Sequence, residues 1–229
     1  MACDWLQTSA IEGAPPLGDD DIHVWYMPAS TRDPREVLRA ARSVRGVLLR
    51  RYARARFTPR IERGAHGKPF APEHPALHFN LSHAGSHVLL AFASDQPLGI
   101  DLECIDRRVA PEAISARYFA PAEHAALAAM DGERRKVAFL QAWTGKEAVL
   151  KALGEGLVFG LHRVEFALDA SGARLHALAP PAGPPDAWRL AGLSPAEGLI
   201  GTLAWRGGPR RLRLFTLASD ATEGGSGPS

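Results

Sequence analysis

At 229 residues and 46% hydrophobic, the chain is long enough for one large domain or two small ones, and apolar enough to bury a core. Its net charge of +2 conceals a lopsided distribution, because Arg35, Arg39, Arg42, Arg45, Arg50, Arg51, Arg54, Arg56 and Arg60 crowd one region, a candidate anion-facing surface. Cys3 and Cys104 are the only cysteines and lack metal-ligand spacing, which argues against a disulfide framework or a zinc site; without a signal-like start or an apolar run of membrane-spanning length, a reducing cytoplasm is expected and a membrane is not.

Gly13, Pro15, Pro16 and Gly18 predict a loose start, and order is expected from the strand Ile22 to Tyr26. After Pro34, the apolar positions Val37, Leu38, Val44, Val47, Leu48 and Tyr52 predict one helix over 35–54, interrupted near Ser43 to Gly46, with arginines on its other faces. Gly64 to Pro69 is turn-rich. Leu77 to Leu81 and Val88 to Ala93 form a hairpin-like pair with His83 at its tip, and Leu98 to Glu103 is the next strand. Helices follow over 111–117 and 121–130, then a long one from Glu133 through Leu153, closed by Gly154 and Gly156. Beyond it, 162–168, 173–178, 188–192, 198–205 and finally 212–217 read as strands of a second sheet, and the Gly/Ser/Pro-rich residues 218–229 as a disordered tail.

Two stretches carry chemistry. In Gly99-Ile100-Asp101-Leu102-Glu103, strand alternation turns Asp101 and Glu103 to one face while Ile100 and Leu102 meet a core. In Trp143-Thr144-Gly145-Lys146-Glu147-Ala148-Val149-Leu150-Lys151, Glu147 and Lys151 lie one helical turn apart. Should Glu147 meet the strand pair, three carboxylates converge, and a hard cation with oxygen ligands such as Mg²⁺ relieves their repulsion. A cation beside a lysine points to phosphate chemistry. Taken singly, each feature has a plainer meaning: an edge strand with exposed acids, an ordinary Glu147–Lys151 helix pair, a solvated Lys146, an exposed loop lysine at Lys68, an incidental turn histidine at His83.

Together, Gly67-Lys68-Pro69, Phe79-Asn80-Leu81-Ser82-His83, Gly99 to Glu103, and Trp143-x-x-Lys146-Glu147-Ala148-x-x-Lys151-Ala152-x-Gly154-x-Gly156 resemble the motif set of 4'-phosphopantetheinyl transferases, of the longer surfactin-synthetase-activating type. The resemblance implies an α+β fold of two similar subdomains related by pseudo-twofold symmetry, over 1–105 and 106–217, with the site between them. It implies a monomer that moves 4'-phosphopantetheine from coenzyme A to a serine of an apo acyl or peptidyl carrier protein, with Mg²⁺. In that scheme Asp101, Glu103 and Glu147 hold the metal and Glu147 doubles as base. Lys151 contacts the diphosphate, Lys68, Ser82 and His83 bind coenzyme A phosphates, and Arg42 and Arg45 are the nearest matches for its 3'-phosphate. Trp143 is expected in the core and Lys146 in a supporting role.

Two other readings stay open at this level. Another Mg²⁺-dependent phosphodiester enzyme lacks its Glu-x-Lys spacing here, because Lys146 precedes Glu147 and Lys151 follows four later. A non-catalytic carrier-protein or nucleotide-binding module would not need the acids and lysines intact. Nucleic acid is not expected as a partner, since no run of stacking aromatics accompanies the arginines.

Overall fold

The structure, a computed structural model, describes residues 5–8, 11–169 and 172–218, so nearly all of the expected tail lies outside the described residues. The strands are β1 (Leu6–Thr8), β2 (Asp21–Pro28), β3 (Glu62–Arg63), β4 (Pro69–Phe70), β5 (Leu77–Ala84), β6 (His87–Ser94), β7 (Leu98–Cys104), β8 (Val164–Asp169), β9 (Gly172–Leu178), β10 (Trp188–Leu193), β11 (Leu199–Arg206) and β12 (Arg211–Leu217). The helices are α1 (Pro34–Tyr52), α2 (Pro111–Tyr118), α3 (Pro121–Ala128) and α4 (Gly132–Leu153).

Asp33 caps α1 by accepting the Arg35 N–H at 2.8 Å, and Pro34 opens the first turn, where its missing N–H costs nothing. The helix then runs unbroken through Ser43 to Gly46, correcting the expected interruption. Val44 and Leu48, both buried, anchor it on either side of Gly46, so packing outweighs a glycine penalty of about 1 kcal/mol. α4 is capped by Asp131 and ends at Gly154, whose φ of 78° is a left-handed conformation that a side chain resists.

Backbone pairing builds two main sheets, in the orders β1-β12-β2-β6-β5 and β10-β11-β7, with β3-β4 and β8-β9 as separate ribbons. This corrects the single second sheet expected after α4. β12 leaves that half and runs parallel to β2, while β8 and β9 pair only with each other among the described residues. The connectivity repeats. β2, α1, the β3-β4 ribbon and the β5-β6 hairpin are followed by β7, α4, the β8-β9 ribbon and the β10-β11 hairpin, and in each set the last strand pairs antiparallel with the first. The β5-β6 turn falls after Ala84, and His83 is paired with Val88 within the ladder rather than at the tip.

Strand alternation turns this pairing into four layers. α1 covers one face of the larger sheet through Trp25, Met27, Phe79, Leu90 and Phe92. The opposite face, with Ile22, Val24, Leu89 and Leu214, packs on Leu98, Ile100, Leu102 and Leu203 of the smaller sheet. α4 closes the far side with Phe139, Leu140, Ala148 and Val149. No helix among the described residues is long and apolar enough to cross a membrane.

Two buried polar groups stand out. Lys146, expected in a solvated or supporting place, has no exposed surface and pairs with the equally buried Glu123 of α3 at 2.7 Å. Its ammonium also donates to the carbonyls of Leu161 and Val164 and lies 4.4 Å from the Phe119 ring centroid. Glu123 in turn accepts the N–H groups of Ala120 and Phe166, so the pair ties α3, α4 and β8 together. Burial pushes the Lys146 ammonium below the ordinary lysine range, and Glu123 opposes that push. The second group is His23 of β2, sealed from solvent, with Nδ1 2.8 Å from the Tyr52 hydroxyl, which also receives the Trp25 indole N–H. Burial is the main reason that its pKa falls to about 4, despite Asp21 nearby.

Removing one partner of a buried ion pair strands the other, so Lys146→Met and Glu123→Gln should each lose about 3–5 kcal/mol in urea titrations. The double variant should lose less than the sum of the two. His23 is neutral when folded but takes a proton in the unfolded chain below pH 6.5. Its share of stability, about 3 kcal/mol, is therefore complete above pH 6.5 and is lost as pH falls toward 4. Unfolding titrations across that window should show the loss, and His23→Gln should flatten it.

Candidate active site

β7 and α4 cross at Gly99, where a Cβ would lie 2.0 Å from the Ala148 carbonyl oxygen and 2.4 Å from the Ala152 nitrogen. Only glycine allows that approach. With Leu98, Ile100 and Leu102 turned to the inter-sheet core, alternation turns Gly99, Asp101 and Glu103 toward α4. On α4, Thr144, Glu147 and Lys151 follow helical spacing, and Thr144 reaches across to Thr202 of β11 at 2.9 Å. β7 is an edge strand, but β5 covers its open side: Asn80 Oδ1 accepts the Ile100 N–H at 2.9 Å and Ser82 Oγ donates to Asp101 at 2.8 Å.

Asp101 is 6% exposed, and its Oδ1 also receives Lys151 Nζ at 2.6 Å. Lys151 further donates to Ser82 Oγ and the Ile100 carbonyl, each at 3.2 Å. The second carboxylate oxygen, Oδ2, is buried and has no hydrogen-bond partner among the described residues. Burial raises the Glu147 carboxyl above the ordinary range, and the Asp101 charge adds to this while Lys151 opposes it. Glu103 is raised as well, first by burial and also by Asp101; Arg107, Lys151 and a hydrogen bond from Trp143 offset part of the rise. Arg107 forms an ion pair with Glu103. The three acids thus share one surface and feel one another's charge.

Among the described residues, no three His, Cys, Asp or Glu side chains stand ready as a metal-binding group. Lys151 and Arg107 supply the positive charge instead. The donor set nevertheless suits a hard divalent cation, since all three candidates are carboxylates and Asp101 Oδ2 is a buried acceptor with nothing to accept.

Beside the cluster opens a cleft of about 220 Å³ lined by His66, Gly67, Lys68, Asn80, Lys151 and Gly156, among others. A second, of about 390 Å³, shares Lys68, Pro69 and Gly154 with it and adds Phe70, Leu77 and His78. Lys68 donates to the carbonyls of Leu98 and Ala152, each at 3.0 Å, which ties its loop to the start of β7 and the end of α4. Burial lowers the Lys68 pKa to about 8.

The expected phosphate binders divide between two faces of β5. Ser82 points inward to Asp101, whereas His83 is exposed on the other face. Arg45 also lies on the α1 side, its guanidinium 5.9 Å from the Phe79 ring centroid. Its Nε is buried without a partner among the described residues, and burial, then the charges of Arg42 and Arg63, hold the guanidinium below the usual arginine range. Arg42 is exposed beside it. Arg63, Asn80 and Glu123 were not singled out from the sequence. Asn80 sits inside a quoted motif, and the inward side of β5 is readable from its alternation with Ser82; Arg63 and Glu123 carry no comparable local signal.

A model of the 4'-phosphopantetheinyl transferase superfamily matches residues 97–197, which contain Asp101, Glu103, Glu147 and Lys151. The chain is 36% identical over 133 residues to 4'-phosphopantetheinyl transferase Sfp of Bacillus subtilis, covering 58% of this chain and 55% of that protein. It is 38% identical over 97 residues to 4'-phosphopantetheinyl transferase AcpT of Escherichia coli K12, covering 42% and 49%. The chain therefore spans about half the length of these two relatives. Against 4'-phosphopantetheinyl transferase HetI of Nostoc sp., identity is 30% over 220 residues, covering 83% of this chain and 90% of the relative. Matched along nearly the whole of HetI and carrying the buried acid-lysine cluster within the family segment, the chain belongs to the 4'-phosphopantetheinyl transferase superfamily.

Proposed function

We propose that this chain transfers the 4'-phosphopantetheine group of coenzyme A to a serine of an apo acyl or peptidyl carrier protein. One observation carries the reading: Asp101, buried and bonded to Ser82 and Lys151, feels the charge of the raised Glu147, and through Lys151 this cluster meets a cleft that Lys68 also lines. In the reaction, the serine oxygen forms a bond to the phosphorus that bears the pantetheine. The bond from that phosphorus to the second phosphate breaks, and adenosine 3',5'-bisphosphate leaves.

Serine needs a base at neutral pH, and Glu147 is assigned that role, directly or through a water. Its raised pKa favours acceptance of the proton. Lys151 faces the charge that grows on the departing phosphate, and Asp101 keeps the lysine aimed there. Mg²⁺ held by Asp101, Glu103 and Glu147 would neutralise diphosphate charge. Coenzyme A would lie along the joined clefts, with Lys68, Ser82 and His83 serving its phosphates and Arg42 and Arg45 its 3'-phosphate. In support, the crowded Arg42, Arg45 and Arg63 gain from an anion, and Arg45 Nε has a donor to spare. One chain furnishes both walls of the clefts, from β5 and the β3-β4 ribbon on one side and the end of α4 on the other, and the acting unit is read as a monomer, with pseudo-twofold halves, in the cytoplasm.

Incubating the protein with coenzyme A, Mg²⁺ and a panel of apo carrier proteins, then weighing the carriers, tests the assignment: a phosphopantetheine mass gain is expected, and no gain on any carrier overturns it. Asp101→Ala and Glu147→Ala should each lower kcat by about 10²–10³-fold while leaving the thermal midpoint within a few degrees. Because Lys68 sheds its proton near pH 8, the KM for coenzyme A should climb as pH rises through that value. Lys68→Arg, which stays charged, should abolish the climb.

A further inference from the structure

The segment that joins α1 to β3 has no part in the cluster described above, yet its composition is unusual. Residues 50–60 contain Arg50, Arg51, Arg54, Arg56 and Arg60 with no acid among them. Arg60 pairs with Glu62 at 2.6 Å and Arg51 bonds the Ala14 carbonyl. Among the described residues, Arg50, Arg54 and Arg56 form no ion pair, and all three are exposed. Phe57 is 73% exposed, more than any other large hydrophobic side chain in the described residues, and the Arg56 guanidinium covers one side of its ring at 5.3 Å.

This is a held loop. Arg54 adopts a left-handed φ of 50°, and the Arg54 and Ala55 N–H groups bond back to Arg51 and Arg50, closing the end of α1. Thr58 lies against Gly46, Pro59 is buried, and Ile61 packs on the α1 core. Phe57 is therefore presented on a fixed arch. The loop leads into β3, whose partner β4 contributes Pro69 and Phe70 to the cleft walls, and Arg63 of β3 carries the positive surface on to Arg45.

The geometry points to this arginine-flanked Phe57 arch as the docking surface for the carrier protein, an acidic partner with an apolar recess that takes the phenylalanine. The inference rests on the proposed transferase function and extends it to the partner's contact site. Charge complementarity favours it: three guanidiniums without an ion pair among the described residues share one short segment with the aromatic anchor, and that segment runs into the ribbon whose β4 strand lines the clefts. Stacked nucleic acid is less well served, since Arg56 already covers one face of the Phe57 ring.

The test compares wild type, Phe57→Ser and the pair Arg54→Ser with Arg56→Ser, using one apo carrier protein that the wild type modifies. Phe57→Ser is expected to raise the KM for the carrier about tenfold, with kcat and the KM for coenzyme A unchanged. The arginine pair should raise it severalfold and weaken its rise with salt. Titration of the apo carrier against each protein, which needs no turnover, should show the same loss of affinity. Unchanged carrier KM and affinity in both variants overturn the docking assignment while transfer itself stands, as does binding of RNA or anionic vesicles that falls in the variants while carrier binding does not. Absence of transfer by the wild type would instead sink the transferase reading, and the titration would still decide the arch.

Discussion

Where β7 passes over α4 at Gly99, two backbones come as close as side-chain-free contact permits, and the chemistry of the molecule follows from that approach. A side chain at the crossing would push strand and helix apart, and the 2.6 Å bond between Lys151 and Asp101 would not survive the separation. That bond is needed because a carboxylate taken out of water must be paired. Lys151 and Ser82 satisfy one oxygen of Asp101 and leave the other without a partner among the described residues, which makes the site hungry for positive charge, while burial first and the Asp101 charge second hold the Glu147 carboxyl above its ordinary range.

Two lysines of α4 show how one helix can serve opposite ends. Lys146 and Lys151 are five residues apart, roughly 140° around the axis. Lys146 enters a sealed pocket of carbonyls, an aromatic ring and Glu123, whereas Lys151 keeps 28% of its side chain exposed at the cleft. The first fixes the pitch of α4 against α3 and β8. The second spends its charge at the surface where ligand would arrive. Lys68, from the turn between β3 and β4, ties down the last turn of the same helix at Ala152, next to Lys151, so two ammonium groups line one cleft at that end.

Much of this arrangement is legible in the letters. Alternation assigns Asp101 and Glu103 to one face of β7, and helical spacing puts Glu147 and Lys151 together; side-chain packing honours both. What escapes local reading depends on distant partners. A lysine reads as solvated unless something buries it, and the acid that pairs with Lys146 lies 23 residues away, in the first turn of a helix whose capping position, Ala120, has no polar side chain to mark it. Ser82 and His83 are neighbours in a motif yet face opposite ways, which alternation foretells and a motif string hides. The unbroken α1 illustrates the converse, since tertiary packing overrides the local cost of Gly46.

The return of β12 to the larger sheet has its own consequence. That strand lies parallel between β1 and β2 and supplies the ladder on one entire side of β2. A growing chain that has emerged as far as residue 206 already holds β2, β5 and β6, but their sheet still has an open edge of unpaired peptide groups next to its most buried strand. The first half to be made is thus the last to be finished. Its closure waits on seven residues at the other end of the polypeptide, a contact of long sequence separation that joins the assembly of both sheets in a single late event.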